Sequence, residues 1–339
     1  MIRKLQQIIR RQMTTAVPYY LALNSWRYLR NQWGIALDRG GSTHATMSTD
    51  QSIGHIDTAY QQYCFFGDLG PEQIRGKRVL EIGPGDNLGV ALRFLMDGAK
   101  EVVALDRFYS HRNNDQQVRI YQAMQARYGA QHADLCTAMI GAATTPQDRS
   151  AAFAGFRYIH GIGMEEARTL FPPQSFDLIV SMAVMEHLYD VDTSLAVMDY
   201  LLAPGGIMLH EIDFRDHGMF TTGGQHPLAF LTLPSWLWYR MTSEAGGAPN
   251  RKLINHYRDK IGAMGYTADY HITQTLSGSP VTNAWRRQLQ IGRDYTEQDL
   301  ALLRQIRPRL QPECRKLPDE DLLTTGLFLK AQKSISGKY

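Results

Sequence analysis

An apolar stretch that runs directly into a glycine turn constrains this chain most. Residues 79–89 read Val-Leu-Glu-Ile-Gly-Pro-Gly-Asp-Asn-Leu-Gly. Glycines at positions 83 and 85 allow the backbone to turn sharply and to come close to a ligand. The helix predicted after the turn offers unpaired N–H groups at its start. The stretch therefore predicts a strand, a ligand-binding turn and a helix.

A second apolar stretch ends in an acid. Residues 101–106, Glu-Val-Val-Ala-Leu-Asp, are typical of a buried strand that ends at Asp106. An acid in this position of a strand–turn–helix–strand unit can bind the two hydroxyls of a ribose. The two stretches together predict a nucleotide-like cofactor.

One alternative is the dinucleotide site of an NAD-dependent oxidoreductase. The G-x-G-x-x-G pattern of such sites needs a third glycine at position 88, which is Leu88 in this chain. This departure argues against a dinucleotide, but the strand, the turn and the acid alone would serve either cofactor. The oxidoreductase remains an alternative.

The turn resembles motif I of the class I S-adenosylmethionine-dependent methyltransferases, in which an acid precedes G-x-G-x-G. Asn87 stands where the last glycine of that motif falls. Asparagine is among the few residues other than glycine that tolerate positive φ, so the departure is small.

Later segments resemble the same family in the same order. Residues 175–181 resemble its fourth strand, and residues 185–188 resemble the Glu-His that follows this strand in many small-molecule methyltransferases. Residues 201–209 resemble the Leu-x-Pro-Gly-Gly turn into the fifth strand. The resemblance covers residues 76–212, and it extends to residues 255–266 and 324–333.

The resemblance implies an α/β fold with a doubly wound, mostly parallel, seven-stranded sheet. We expect residues 1–75 to form an N-terminal helical extension or lid and residues 76–339 to form the catalytic domain, with substrate-cap insertions at about 213–250 and 276–322. The predicted strands are 78–83, 101–106, 156–160, 176–181 and 206–212, with 268–275 and 324–333 as candidates for the last two, one of them antiparallel.

The resemblance also implies S-adenosylmethionine as the cofactor. Glu81 would lie near the amino group of its methionine part, and Asp106 would bind both ribose hydroxyls. Arg107 would stack beside the adenine, and either Met164 or Glu165 would meet the adenine amino group. The predicted cofactor-binding residues are Glu81, Gly83, Pro84, Gly85, Asn87, Asp106, Arg107, Met164, Glu165 and Met182.

The segment that follows the fifth strand mixes titratable and aromatic side chains. It begins with His-Glu-Ile-Asp-Phe-Arg-Asp-His at position 210 and includes Trp-Leu-Trp-Tyr-Arg at position 236. It predicts either a cap that holds a polar substrate against aromatic faces or a surface excursion that covers the sheet. Methyl transfer to an oxygen needs a nearby proton acceptor. The candidates are His187, His210, Asp213 and His217, with His226 as a competitor.

The sequence predicts no metal site. Some methyltransferases with a Glu-His after the fourth strand bind a divalent ion through a further Glu three residues earlier, but that position is Ala183 in this chain. A weaker alternative is a magnesium site that gathers oxygen and imidazole ligands from the segment after the fifth strand. Its candidate ligands are Glu211, Asp213, Asp216 and His217.

Charge is distributed unevenly along the chain. Residues 1–37 hold six basic and no acidic residues, so the remaining residues sum to 3 − 6 = −3. The basic segment has apolar residues at helical spacing, which predicts either peripheral contact with an anionic membrane surface or an extra helix packed on the core. The acidic body argues against a nucleic-acid partner.

The composition favours a reducing compartment. The chain has three widely separated cysteines and no apolar run long enough to span a membrane. We therefore expect a cytoplasmic protein, with peripheral contact at the inner membrane surface as an addition to that expectation.

The acceptor is predicted by class only. The His-x-Ile-Asp-x-x-Asp-His segment at residues 210–217 resembles bacterial methyltransferases of surface-polysaccharide or specialised-metabolite pathways. A small polar or glycan-like acceptor methylated on a hydroxyl is the first expectation. The alternatives are N-methylation of an amino sugar or a modified peptide, and a non-catalytic, membrane-recruited scaffold of the same fold.

Overall fold

The computed structural model describes residues 2–33, 43–146, 151–278 and 294–335. Part of the predicted insertion 276–322 therefore lies outside the described residues. The α-helices are α1 (Ile2–Ile9), α2 (Met13–Gln32), α3 (Thr49–Gly67), α4 (Pro71–Ile74), α5 (Gly89–Met96), α6 (Asn114–Tyr128), α7 (Ala133–Ala143), α8 (Val191–Leu201), α9 (Ser235–Thr242), α10 (Ile254–Ala263), α11 (Glu297–Ile306), α12 (Pro312–Arg315) and α13 (Asp319–Leu323). The strands are β1 (Arg78–Ile82), β2 (Glu101–Asp106), β3 (Ala151–Phe153), β4 (Phe156–His160), β5 (Phe176–Met182), β6 (Leu202–Asp213), β7 (Thr267–Thr275) and β8 (Thr324–Gln332).

The described strands form one sheet in the order β3-β4-β2-β1-β5-β6-β8-β7. The pairs from β4 to β6 are parallel, and β8 runs antiparallel to both β6 and β7. The predicted doubly wound, mostly parallel α/β fold is confirmed.

Two details of the sheet differ from the prediction. The sheet has an eighth strand, β3, a three-residue edge strand antiparallel to β4 that is too short to leave a periodic pattern in the sequence. β6 begins at Leu202, earlier than predicted, because Leu202 pairs with Phe176 before a shift in register.

Helices cover both faces of the sheet, which explains the nearly continuous apolar runs of its central strands. Neighbouring side chains of β1 point to opposite faces, so Val79 and Leu80 belong to different parts of the core. One part packs under α3, α5, α6 and α7, and the other packs under α8, α10 and α2.

The strand order places a crevice at the carboxyl end of β1. β2 lies on one side of β1 and β5 on the other, and the chain winds outward in both directions from this point. Ligands of open α/β sheets bind where the winding direction reverses. The glycine turn, Asp106 and the segment after Met182 therefore meet at one edge of the sheet.

The helix α2 packs against the segment that follows β6. The Tyr20 hydroxyl donates a hydrogen bond to the Met219 carbonyl (2.8 Å), and Asn24 Nδ2 donates one to the Arg240 carbonyl (3.1 Å). On α2, Trp26 is more than half exposed, and so is Trp33, which directly follows the helix. Contact of this helix with a membrane surface stays a prediction. Among the described residues, no helix combines the length and the apolar character needed to cross a bilayer.

The close packing of α3 on α5 at Gly89 predicts that alanine substitutions at Gly89 and Gly54 differ in their effect on protein stability. A Cβ at Gly89 would lie 2.4 Å from Ile56 Cδ1, whereas a Cβ at Gly54, within α3, would meet nothing within 4 Å. We expect Gly89→Ala to lower the free energy of unfolding by about 1–3 kcal/mol through overpacking. Gly54→Ala should leave it unchanged or raise it by up to about 1 kcal/mol, since alanine favours a helix. Urea unfolding measures both, and equal stability of the two variants would contradict the packing.

Candidate active site

The turn after β1 requires glycine at two positions. Gly83 and Gly85 both have positive φ, 69° and 68°. A Cβ on Gly83 would lie 2.5 Å from Val184 Cγ2 in the segment after β5. Glycine therefore serves both the backbone conformation and the close approach of two loops.

The tolerance of asparagine for positive φ does not explain Asn87, because in the structure the φ of Asn87 is not positive. Its side chain is buried, Oδ1 accepts a hydrogen bond from the Gly89 amide (2.7 Å), and Nδ2 donates one to Gln117 Oε1 (3.0 Å). Asn87 therefore ties the turn to the start of α5 and to α6.

Two carboxyl groups lie beside the turn, of which Glu81 is buried and Asp106 is partly exposed. Glu81 lies in β1 and Asp106 ends β2, its parallel neighbour. Burial and then the neighbouring Asp106 raise the pKa of Glu81 to about 8. Burial raises the pKa of Asp106 to about 6. The Phe108 amide donates a hydrogen bond to Asp106 Oδ1 (3.2 Å), which by itself would lower this pKa. Glu81 Oε2 is buried without a hydrogen-bond partner.

A cavity of about 550 Å³ opens along this edge of the sheet. Its lining includes nine of the ten predicted cofactor-binding residues, and Glu165 is the exception. It also includes two of the four predicted catalytic residues, His187 and His217, but neither His210 nor Asp213. The structure therefore brings together the glycine turn, Asp106 and two imidazoles.

Arg107 and Glu165 are paired with each other. The Arg107 guanidinium also lies over the Tyr189 ring, 4.6 Å from its centroid. Glu165 Oε1 accepts hydrogen bonds from the amides of Tyr189 and Asp190, each 3.1 Å long. Of the two residues predicted to meet the adenine, Met164 lines the cavity and Glu165 instead fixes the segment after β5.

His187 and His217 lie side by side, with ring centroids 4.5 Å apart. Burial and then His217 lower the pKa of His187 to about 4, so His187 is neutral at neutral pH. Its Nδ1 lies 3.4 Å from the Ala248 carbonyl, which favours a proton on Nδ1 and a free lone pair on Nε2.

The other predicted catalytic candidates have structural partners. His210 is fully buried within β6, its Nδ1 lies 2.7 Å from Ser181 Oγ, and burial lowers its pKa to about 3. Asp213 pairs with the Arg215 guanidinium. His226 accepts a hydrogen bond from the Leu228 amide and contacts the Leu302 carbonyl. None of the three side chains lines the cavity.

The alternative magnesium ligands do not converge. Asp216 accepts hydrogen bonds from three backbone amides in its own turn, and Asp213 is held by Arg215. Within the described part of the chain, three possible metal ligands do gather, namely Glu186, His187 and His217.

Several lining residues were not predicted from the sequence. Asp86 is buried and accepts hydrogen bonds from the amides of His44 and Ala45, which holds the segment before α3 over the glycine turn. Gly246 and Gly247 line the cavity from the predicted cap, whereas its aromatic residues Trp236, Trp238 and Tyr239 do not. These aromatic residues therefore lie outside this cavity, and an aromatic substrate face stays a prediction.

A family model for a methyltransferase domain matches residues 63–264, which is more than half of the chain. The chain therefore belongs to this methyltransferase-domain family. With the glycine turn and Asp106 at the crevice, it is a class I S-adenosylmethionine-dependent methyltransferase, and S-adenosylmethionine is its cofactor. No curated protein shows significant sequence similarity to this chain.

Solved methyltransferase structures are similar to the chain at low identity. An S-adenosylmethionine-dependent methyltransferase from Mesorhizobium loti is 15% identical, with 82% of this chain and 100% of that chain covered and a TM-score of 0.41. Phosphoethanolamine N-methyltransferase 2 from Haemonchus contortus is 15% identical, with 82% of this chain and 52% of that chain covered and a TM-score of 0.42.

The residues at the crevice fit this cofactor. Its methionine part carries an ammonium group, and Glu81 Oε2 is a buried carboxyl oxygen without a partner. Asp106 lines the same cavity with a carboxylate that can accept two ribose hydroxyls. Gly83 and Gly85 leave the backbone uncovered between the two acids.

Asp106→Ala should weaken binding of S-adenosylmethionine about 10- to 100-fold, because hydrogen bonds to a charged group contribute roughly 1.5–3 kcal/mol. The matched control is Glu101→Ala, since Glu101 begins the same strand and pairs with Arg157 away from the cavity. Calorimetric titration gives both dissociation constants. Equal affinity of Asp106→Ala and wild type would refute the assignment.

Proposed function

We propose that this enzyme methylates an oxygen of a small polar acceptor, such as a hydroxyl of a sugar or a specialised metabolite. The observation that carries the proposal is the pair of imidazoles, His187 and His217, in the same cavity as the glycine turn and Asp106. A hydroxyl that attacks a methyl group must lose a proton, and a neutral imidazole can accept it.

The bound cofactor would supply a methyl group on a positively charged sulfur, open to in-line displacement. His187 is the proposed general base because its pKa of about 4 keeps the imidazole unprotonated at neutral pH. With Nδ1 against the Ala248 carbonyl, Nε2 would receive the proton of the acceptor. The cavity would hold the hydroxyl near the methyl carbon.

The predicted cap supports an acceptor position beside His187. The Asn250 amide donates a hydrogen bond to the Glu186 carbonyl (2.7 Å), and Asn250 Nδ2 donates one to the Met185 carbonyl (2.8 Å). These bonds fix the end of the cap on the turn that carries His187. Gly246 and Gly247, just before it, form a wall without side chains, which leaves room for a polar molecule.

The size of the cavity favours a small acceptor. Pockets of roughly 300–1,000 Å³ hold small molecules and cofactors, and this cavity has about 550 Å³. A nucleic acid would need a broad basic surface, whereas the chain beyond residue 37 has a net negative charge. We therefore propose a small polar or glycan-like acceptor and no nucleic-acid partner.

His187→Ala should lower kcat about 100-fold or more with an unchanged dissociation constant for the cofactor, since general-base catalysis contributes roughly 10²–10⁴-fold. The wild-type rate should fall as the pH drops through about 4, because protonation of His187 removes the lone pair. The assay follows methyl transfer from labelled cofactor to a panel of sugars, amino sugars and hydroxy acids.

His256→Ala is the matched control, because His256 contacts Asp192 and does not line the cavity. It should retain the wild-type kcat. Transfer to nitrogen in amino sugars with no transfer to hydroxyls would refute oxygen as the acceptor atom, and full activity of His187→Ala would refute the base.

A further inference from the structure

Three side chains that can bind metals surround one point at the edge of the cavity. Glu186, His187 and His217 each offer one ligand atom, and these three atoms lie within 4.8 Å of one another. Glu186 Oε1 lies 3.7 Å from His217 Nε2. His187 and His217 also line the cavity in which the acceptor is proposed to bind.

Glu186 is buried without a compensating charge. Its side chain is 2% exposed, and its Oε2 has no hydrogen-bond partner. Its Oε1 accepts a hydrogen bond from a neutral group, the Asp213 amide (3.2 Å). Among the described residues, His217 is the one basic side chain within ion-pair distance of this carboxyl group. A cation stabilises a carboxylate that is buried and has few hydrogen-bond partners.

The two imidazoles are oriented for coordination. The Ala248 carbonyl faces His187 Nδ1, and a metal-binding histidine commonly donates its other ring N–H to such an oxygen. The turn that carries His217 is fixed by Asp216, whose carboxylate accepts hydrogen bonds from the amides of Gly218, Phe220 and Thr221. The His187 ring and the turn that carries His217 are thus positioned before any ligand arrives, and His217 Nε2 lies 3.4 Å from the Asp213 carbonyl.

We propose that Glu186, His187 and His217 bind a divalent transition-metal cation whose remaining coordination positions face the acceptor. Two imidazoles and one carboxylate suit zinc, manganese or iron, whereas magnesium prefers oxygen ligands. Ala183 does not prevent such a site, because His217 supplies the third ligand from a distant part of the chain.

The inference rests on the proposed function, since it places the acceptor hydroxyl on this cation. There the cation lowers the pKa of the hydroxyl, and the proton passes to water in the cavity mouth. The oxygen then forms a bond to the methyl carbon, and the electron pair of the breaking carbon–sulfur bond stays on sulfur. His187 acts as a ligand in this state and as the base only in the cation-free protein. A cation with open positions selects acceptors with two neighbouring oxygens, such as a vicinal diol or a 2-hydroxy acid.

The test is direct binding of Mn²⁺ and Zn²⁺ to the full chain after chelator treatment, without cofactor or acceptor. Electron paramagnetic resonance of free Mn²⁺ and calorimetry with Zn²⁺ should give one cation per chain. Glu186→Gln and His217→Gln should bind each at least about 100-fold more weakly. His256→Gln, which removes a partly buried imidazole beside Asp192 and outside the cavity, should bind like wild type.

Thermal unfolding separates lost binding from lost folding. Metal-free Glu186→Gln should unfold at or near the wild-type temperature, since glutamine keeps the size and shape of this buried side chain. Mn²⁺ should raise the unfolding temperature of wild type and His256→Gln but not of Glu186→Gln. Equal Mn²⁺ affinity in wild type and Glu186→Gln would overturn the proposal, and so would tighter binding of Mg²⁺ than of Mn²⁺ and Zn²⁺.

Methylation assays on the metal-free and metal-bound wild type distinguish failure of the cation proposal from failure of the proposed function. Undiminished hydroxyl methylation by the metal-free wild type would overturn the catalytic part of the cation proposal and leave the oxygen acceptor in place. One bound cation without methylation of any hydroxyl would support the site and refute the proposed function.

Discussion

The position of two carboxyl groups, the buried Glu81 and the partly exposed Asp106, near the ends of adjacent parallel strands is the constraint on which this site depends. The pairing of β1 with β2 brings Glu81 and Asp106 to the same crevice, where burial raises both pKa values and the nearby Arg112 guanidinium offsets this only in part. Such groups oppose folding when they ionise. A ligand that brings an ammonium group and hydroxyl donors relieves this cost, so the fold is prepared for S-adenosylmethionine. Functional sites are commonly where local stability is lowest.

The segment after β5 packs directly on the glycine turn because position 83 has no side chain. Val184 packs into the space that a side chain at position 83 would fill, so the glycine turn and the segment after β5 are in direct contact. The same segment carries Glu186 and His187, and hydrogen bonds from Asn250 fasten the cap to it. The proposed cofactor and acceptor regions are therefore in direct contact, as the in-line arrangement of donor and acceptor atoms requires.

The sequence predicted most of what depends on local pattern. The apolar runs of β1, β2 and β5 and the turn at Gly83 follow from neighbouring residues, and so does the placement of Asp106. Contacts between distant segments could not be predicted in this way. His217 meets Glu186 although α8 and β6 separate them along the chain. Asn87 is held by its hydrogen bond to Gln117, and its φ is not positive. His210 looked like a base in the sequence, but the register of β6 directs it into the core beside Ser181.

The number of protons released when S-adenosylmethionine binds tests the central claim most directly. Glu81, with a pKa of about 8, is mostly protonated at pH 7 in the free protein, and a bound ammonium group favours its carboxylate. Calorimetry at pH 7 in buffers of different ionisation enthalpy should therefore show proton release, and the affinity should rise as the pH increases from 6 to 8. Binding without proton release and with an affinity independent of pH would contradict the role assigned to the two acids.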